Sequence, residues 1–268
     1  MGSAGGLVTG TVISSLGSQS SPRDEGGYRP LFDGATLRGW SLRAGTPGEG
    51  GFGNWFVDHG AIGVNFEPHG GGAYLVSGEA FDDFDLAIDV WPDWPVATGI
   101  LIRTVPEGNV GIQVPLNYRP HGGIAGYYGR GLGEFQACQY AFSASRSRNG
   151  RVERLRPEPP SGPPERIPLD FAASVDVFLR IWKTGDWNRF RIRSVGELPS
   201  LTTWINGEKI SELDTRRVKL PDFDVKAMLG RIGRTGHIAL EIHGYDAQGG
   251  RDRGAPACRW RNIYIRTL

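Results

Sequence analysis

The chain has 268 residues, enough for one large β domain or two small ones, and one domain is favoured because β sandwiches and barrels reach this size as single units. Its 30 basic and 29 acidic residues leave a formal charge of +1, which excludes a global field steering it to nucleic acid or a membrane surface. Gly at 41 and Pro at 18, interleaved with short apolar runs, predict many turns joining many strands, and eight Trp offer core bulk or platforms for sugar rings.

The opening stretch, MGSAGGLVTGTVISSLGSQSSPRDEGG, is small and apolar until Arg23 and then turns into a linker. It resembles an export signal without its basic beginning, so residues 1–27 are expected to be disordered and the protein to be periplasmic or secreted. No later run of eighteen apolar residues predicts a membrane span. FDLAIDV (84–90) puts Phe84, Leu86, Ile88 and Val90 on one face and Asp85, Ala87 and Asp89 on the other, because strand side chains alternate with a period of two. GILIRT (99–104) sets Ile100 and Ile102 against Leu101 and Arg103, and VGIQVPL (110–116) sets Val110, Ile112 and Val114 against Gly111, Gln113 and Pro115. The stretch from 143 to 168 is first arginine-rich and then proline-rich, which predicts an exposed excursion; without interleaved aromatic residues it does not read as a nucleic-acid patch.

NRFRIRSV (188–195) alternates Phe190 and Ile192 with arginines, and LTTWINGEKI (201–210) carries Asn206-Gly207, the dipeptide that takes the positive φ angles of a tight hairpin. In HIALEIHG (237–244), Ile238, Leu240 and Ile242 face one way while His237, Ala239, Glu241 and His243 face the other. CRWRNIYIRTL (258–268) closes the chain as a last strand. No segment has a long helical pattern, so the fold class is all-β, two antiparallel sheets packed face to face over residues 28–268. Cys138 and Cys258 leave open one disulfide or two free thiols.

If the apolar faces all point inward, Asp85, Asp89, Arg103, Gln113, Glu241 and His243 share the outward side. Polar residues there are ordinary solvated surface unless something gathers them. His243 draws attention because imidazole titrates near neutral pH, and Glu241 shares its side and could orient the ring or join it in holding a metal ion. The two-carboxylate run that β-glucanases place on one strand, roughly 5 Å apart, is absent, as are the GxSxG, HExxH and P-loop patterns.

Eight stretches in order, LFDGATLRGW (31–40), NWFVDHGAIGV (54–64), FDLAIDV, TGILIRT (98–104), KTGDWNRFRI (183–192), TWINGEKI (203–210), GHIALEIHG (236–244) and WRNIYI (260–265), resemble the 3-keto-disaccharide hydrolase domain family over roughly residues 28–268. The resemblance implies a concanavalin A-like jelly roll acting on glycosides oxidised at carbon 3, with carbohydrate as partner. It carries over the His243 and Arg103 positions and a lysine at Lys183. It places Tyr127 and Tyr128 in a loop that could floor a sugar subsite, and Trp91 and Trp94, in the proline-rigidified VWPDWPVATG next to the outward face, could do the same. The chain departs at Gln113, where relatives usually have Glu. A ketone at carbon 3 acidifies the hydrogen on carbon 2, so one base, one electrophile at the carbonyl oxygen and an acid for the leaving group suffice. His243 is the expected base or metal ligand, Glu241 its assistant, and Arg103 or a divalent cation the holder of the enolate. Gln113, Asp89, Lys183 and the four aromatic residues would contact substrate. The rival reading is a secreted carbohydrate-binding module in which Gln113 has replaced the catalytic acid; ordinary β-glucanase activity is a third.

Overall fold

A computed structural model describes residues 26–44, 53–65, 73–92, 97–117, 122–138, 140–148, 152–158, 167–219, 224–242 and 258–268. In chain order the first strands are β1 (Arg29–Pro30), β2 (Trp40–Ala44), β3 (Asn54–Asp58), β4 (Ala61–Asn65), β5 (Ala73–Phe81), β6 (Phe84–Pro92) and β7 (Ala97–Thr104). Then come β8 (Gly111–Asn117), β9 (Gly122–Gly123), β10 (Tyr127–Arg130), β11 (Gln136–Ala137), β12 (Ala141–Arg146), β13 (Val152–Glu158) and β14 (Phe171–Ala172). Helix α1 (Val175–Ile181) precedes β15 (Asn188–Val195), β16 (Ser200–Ile205) and β17 (Glu208–Asp214), and helix α2 (Val225–Ile232) precedes β18 (Gly236–Ile242) and β19 (Cys258–Thr267).

These strands make two large sheets. The nine-stranded sheet runs β14-β17-β16-β15-β6-β19-β4-β3, with β1 added on β19; the seven-stranded sheet runs β11-β10-β8-β7-β18-β5-β2. Every pairing is antiparallel, and the consecutive strands β6 and β7 lie in different sheets, so the chain crosses the sandwich between them. Alternation explains the packing between the sheets. Leu86, Ile88, Phe190, Ile192 and Trp260 point in from the first sheet to meet Leu75, Ile100, Val114, Ile238 and Leu240 from the second, all fully buried. Removing each such side chain from water contributes about 1.5–3 kcal/mol.

The hairpin predicted at Asn206-Gly207 joins β16 to β17, with φ of 50° and 93°, the left-handed conformation such a turn requires. Asn206 also donates through Nδ2 to the Ile181 carbonyl at 2.8 Å, tying the turn to the end of α1. The arginine-rich excursion is more ordered than the sequence predicts. β12 and β13 form a hairpin that pairs with β9 as a small third sheet, because Leu155 turns into the core while Arg154 and Arg156 stay in water. Cys138 and Cys258 are not joined as a disulfide.

Candidate functional site

On β18 the residues that do not face the core include Ala239 and Glu241, aligned with Val76 and Tyr74 of β5 on one side and with Leu101 and Gly99 of β7 on the other. Tyr74, Val76, Leu101 and Ala239 form a second apolar cluster on this outer face, separate from the core. Part of its cover is the β7–β8 connection. Gly108 approaches so closely that a Cβ there would stand 2.8 Å from Val76 and 2.9 Å from Tyr74, and its φ of 81° is itself a glycine conformation. Arg43 holds the same connection by donating from Nε to the Pro106 carbonyl at 3.1 Å.

Beside this cluster Glu241 is 1 % exposed, a buried carboxylate that must be compensated. Arg130 of β10 places Nη1 2.6 Å from Glu241 Oε1, and Gln113 of β8 donates from Nε2 to Oε2. Gln113 reaches it by crossing Gly99, where any Cβ would collide with its amide. In sheet order β8 and β7 lie between β10 and β18, so the sheet must curl for Arg130 to reach. The guanidinium carbon also stands 5.3 Å from the centroid of Tyr74, a cation–π distance. Thr98 donates its hydroxyl to the Glu241 carbonyl, fixing the strand at that point. Tyr128, register partner of Gln113, sends its hydroxyl to Glu134. Arg130 retains 19 % side-chain exposure and Tyr128 is half-buried, so these two are the parts of the cluster open to solvent. The arrangement presents a guanidinium with a carboxylate behind it, a device for holding an oxyanion or a polarised carbonyl.

Of the residues expected to meet on one outward side, the structure brings together Gln113 and Glu241, sets Tyr128 of the expected loop beside Gln113, and separates Asp85, Asp89 and Arg103 from them. Asp85 and Asp89 belong to β6 and lie on the outer face of the opposite sheet. Trp91 lies there too, with its ring 4.5 Å from the Arg259 guanidinium carbon and 5.6 Å from Trp187. Alternation distinguishes inside from outside but not one outside from the other. Arg103, expected at the enolate, leaves the site for a different reason. β7 bulges opposite β18, Arg103 takes φ 52°, and the side chain leaves the outward face. Fully buried, it donates to the carbonyls of Gly196 at 3.2 Å, Glu197 at 3.0 Å and Gly233 at 2.9 Å, clamping the β15–β16 turn and the end of α2; burial lowers its pKa.

Tyr127 is no sugar platform, because its parity on β10 sends it into the core. Its hydroxyl lies 3.0 Å from Thr203 Oγ1 and 3.3 Å from the Ser211 carbonyl of the other sheet, and burial raises its pKa well above the usual tyrosine value. Lys183 is exposed at the turn before β15, where Asn188 holds its backbone rather than its side chain, in the sheet opposite Glu241. His243 and Trp94 lie outside the described residues. Sequence reasoning missed Arg130 and Tyr74. Both were readable: in YYGR, Tyr128 and Arg130 share a face by alternation, and in AYLV, Tyr74 opposes the core residue Leu75.

A metal ion fits the described part of this site poorly. No three His, Cys, Asp or Glu side chains come together among the described residues. The Glu241 carboxylate is already neutralised by Arg130, and the Gln113 amide beside it donates to it rather than offering a ligand.

A jelly-roll sandwich whose one outer face gathers a guanidinium, a carboxylate, an amide and tyrosines is of the class that handles sugars. The chain belongs to the family of 3-keto-alpha-glucoside-1,2-lyase-like domains, whose pattern matches residues 27–266, and is a carbohydrate-active protein. A search of curated proteins returns no match. Among solved structures, a glycosyl hydrolase-like protein of Parabacteroides distasonis superposes with a TM-score of 0.52 at 16% identity, covering 94% of this chain and 98% of its own. Beta-agarase A in complex with oligoagarose superposes at 0.50 and 11% identity, covering 85% and 82%. At these identities the likeness establishes the jelly-roll fold.

Proposed function

We propose that the protein cleaves glycosides whose sugar carries a ketone at carbon 3. A base takes the proton from carbon 2, and the electron pair of that C–H bond forms an enolate with the carbonyl. The enolate collapses, the bond from carbon 1 to the glycosidic oxygen breaks, and the departing oxygen takes a proton. Water then adds across the new double bond, so the balance is glycoside plus water giving 3-keto sugar plus alcohol. No oxocarbenium ion forms, so the chemistry does not need the paired carboxylates that the sequence lacks.

The observation that carries this reading is Arg130, a partly exposed guanidinium pinned by Glu241 and Tyr74. In the proposed reaction it holds the enolate oxygen, where a fixed donor strengthens its grip as charge develops. Glu241 and Gln113 act as positioning residues behind it. His243, two residues beyond Glu241 in the sequence, is the proposed base.

The purified protein is to be incubated with a 3-keto-glucoside and with the same glucoside unoxidised, and release of the aglycone measured. Release from the keto form alone is expected, with Arg130→Met reducing kcat by about 10²–10³-fold. Equal release from the unoxidised sugar, or full turnover in the variant, would sink the proposal. The binding-module reading draws on Gln113, whose amide donates to Glu241 at the position where the family resemblance implies an acid; it predicts that the sugar binds and is never cleaved.

A further inference from the structure

The outer face of the nine-stranded sheet is built from arginine and aromatic residues in a regular grid. Across β15, β6 and β19 the register aligns Arg193–Asp85–Arg266 in one row and Arg189–Asp89–Arg261 in another. Asp85 accepts from Arg191 at 3.0 Å, Arg193 at 2.7 Å and Arg266 at 2.6 Å; Asp89 accepts from Arg189 at 2.5 Å and from Asn262 at 2.7 Å. Rings stack against several cations of this face. Arg191 and Arg193 lie over Trp204 at 4.6 and 5.7 Å, Arg261 over Trp187 at 4.0 Å and Arg259 over Trp91 at 4.5 Å.

On these three strands six guanidiniums face two carboxylates, a local surplus of four positive charges in a chain whose formal net charge is +1. The surplus is a field of one face, not of the composition. The backbones of a row's two arginines stand two strand spacings apart, roughly 10 Å, and their side chains converge on the carboxylate between them: Asp85 Oδ2 accepts from Nη2 of both Arg193 and Arg266. Because carboxylates and rings already hold them, little rotamer freedom remains to be lost when a ligand arrives. Asp85 occupies the Nε and Nη2 edge of Arg193, but Arg193 and Arg261 keep 35% and 38% side-chain exposure, so part of each guanidinium stays reachable from solvent.

We infer that this face binds an anionic polysaccharide, a sugar chain bearing carboxylate or sulfate groups, laid across β15, β6 and β19. The guanidinium fork matches the oxygens of either group. A nucleic acid fits less well: Trp204, Trp187 and Trp91 each carry a guanidinium where a base would have to stack. The face is on the sheet opposite Arg130 and Glu241, so it is independent of the cleavage proposed there. Losing it leaves turnover of a small 3-keto-glucoside unchanged.

The full chain is to be titrated with dextran sulfate, polygalacturonate, uncharged dextran and duplex DNA at about 50 and 200 mM salt. Expected is binding of dextran sulfate or polygalacturonate, weakening with salt, with no binding of dextran; the preferred polyanion identifies the anionic group. Arg193→Gln combined with Arg261→Gln is expected to weaken binding at least about tenfold and to lower the log–log salt slope by about two. Thr202→Glu, which sets a negative charge opposite Arg193 without removing any guanidinium, should act in the same direction even if the double variant unfolds. Arg216→Gln with Arg234→Gln, the same charge change away from this face, should leave binding intact. Failure to bind either polyanion, duplex DNA binding as tightly as they do, or unchanged affinity in the face variants would overturn the inference.

Discussion

Glu241 carries a charge with almost no water around it, and Arg130, one-fifth exposed, is its counter-charge. Removing one member of such a pair strands the other, at about 3–5 kcal/mol for a buried pair and less where, as for Arg130, water reaches one partner. Replacing both with neutral groups of similar size removes the desolvation cost together with the attraction. Hence Arg130→Met is expected to cost about 2–3 kcal/mol and Glu241→Gln a similar amount, with the double variant costing clearly less than their sum. Urea unfolding of the four proteins measures this; strictly additive losses would show that the two groups are not coupled. Glu241 and Gln113 were legible in the sequence, since alternation in HIALEIHG and VGIQVPL put both outward. Arg130 is hard to read from the sequence because the glycine-flanked GYYGRG has the look of a loop, whereas as strand β10 it sends its two tyrosines to opposite faces: Tyr127 bonds Thr203 inside while Tyr128 pairs with Gln113 outside.

At the scale of elements, β7 shows what period-two reading cannot see. Its first half obeys the period, with Ile100 and Ile102 inside and Leu101 outside. Then one extra residue opposite β18 turns Arg103 away and returns Thr104 to the outward register with His237. A bulge carries no apolar signature, so nothing in GILIRT announces it. The turn at Asn206-Gly207 was legible for the opposite reason, because positive φ at two successive residues selects its own amino acids. The clamp reading of Arg103 is testable. Lysine keeps the charge but cannot span three carbonyls, so Arg103→Lys should lose about 2–4 kcal/mol, given that hydrogen bonds from a charged group contribute about 1.5–3 kcal/mol each. Turnover per folded molecule on a 3-keto-glucoside should be unchanged. An Arg103→Lys protein of normal melting temperature and lost turnover would return Arg103 to the site.

For the molecule as a whole, the sandwich has two outer faces of different chemistry, and the strand pattern could not assign β6 to one and β7 to the other because the chain crosses between them. That crossing puts Asp85 under three arginines rather than beside Glu241. Burial alone would raise the Asp85 carboxyl, but the hydrogen bonds from Arg193, Arg191 and Arg266 outweigh it and hold the group well below the usual carboxylate range. A carboxyl whose folded value lies below its unfolded value of about 3.9 contributes stability that is fully present above that value. The contribution is lost as pH falls from about 4 towards the lowered folded value, while the arginines stay charged throughout. Asp33, held down to about 2 by the Thr36 hydroxyl and amide, and Asp214, lowered by Arg216, act in the same direction, so acid weakening of the native protein cannot by itself be credited to Asp85. Comparison with Asp85→Asn isolates it, since the other carboxyls are common to both proteins and asparagine resembles the protonated acid. The variant is expected to be less stable by about 3 kcal/mol at pH 7. Its deficit should hold down to about pH 4 and then narrow as the wild-type carboxyl takes up its proton. Urea unfolding of both proteins across that range measures the difference, and a deficit that stays constant into the acid range would mean that Asp85 gains nothing from its ionised state.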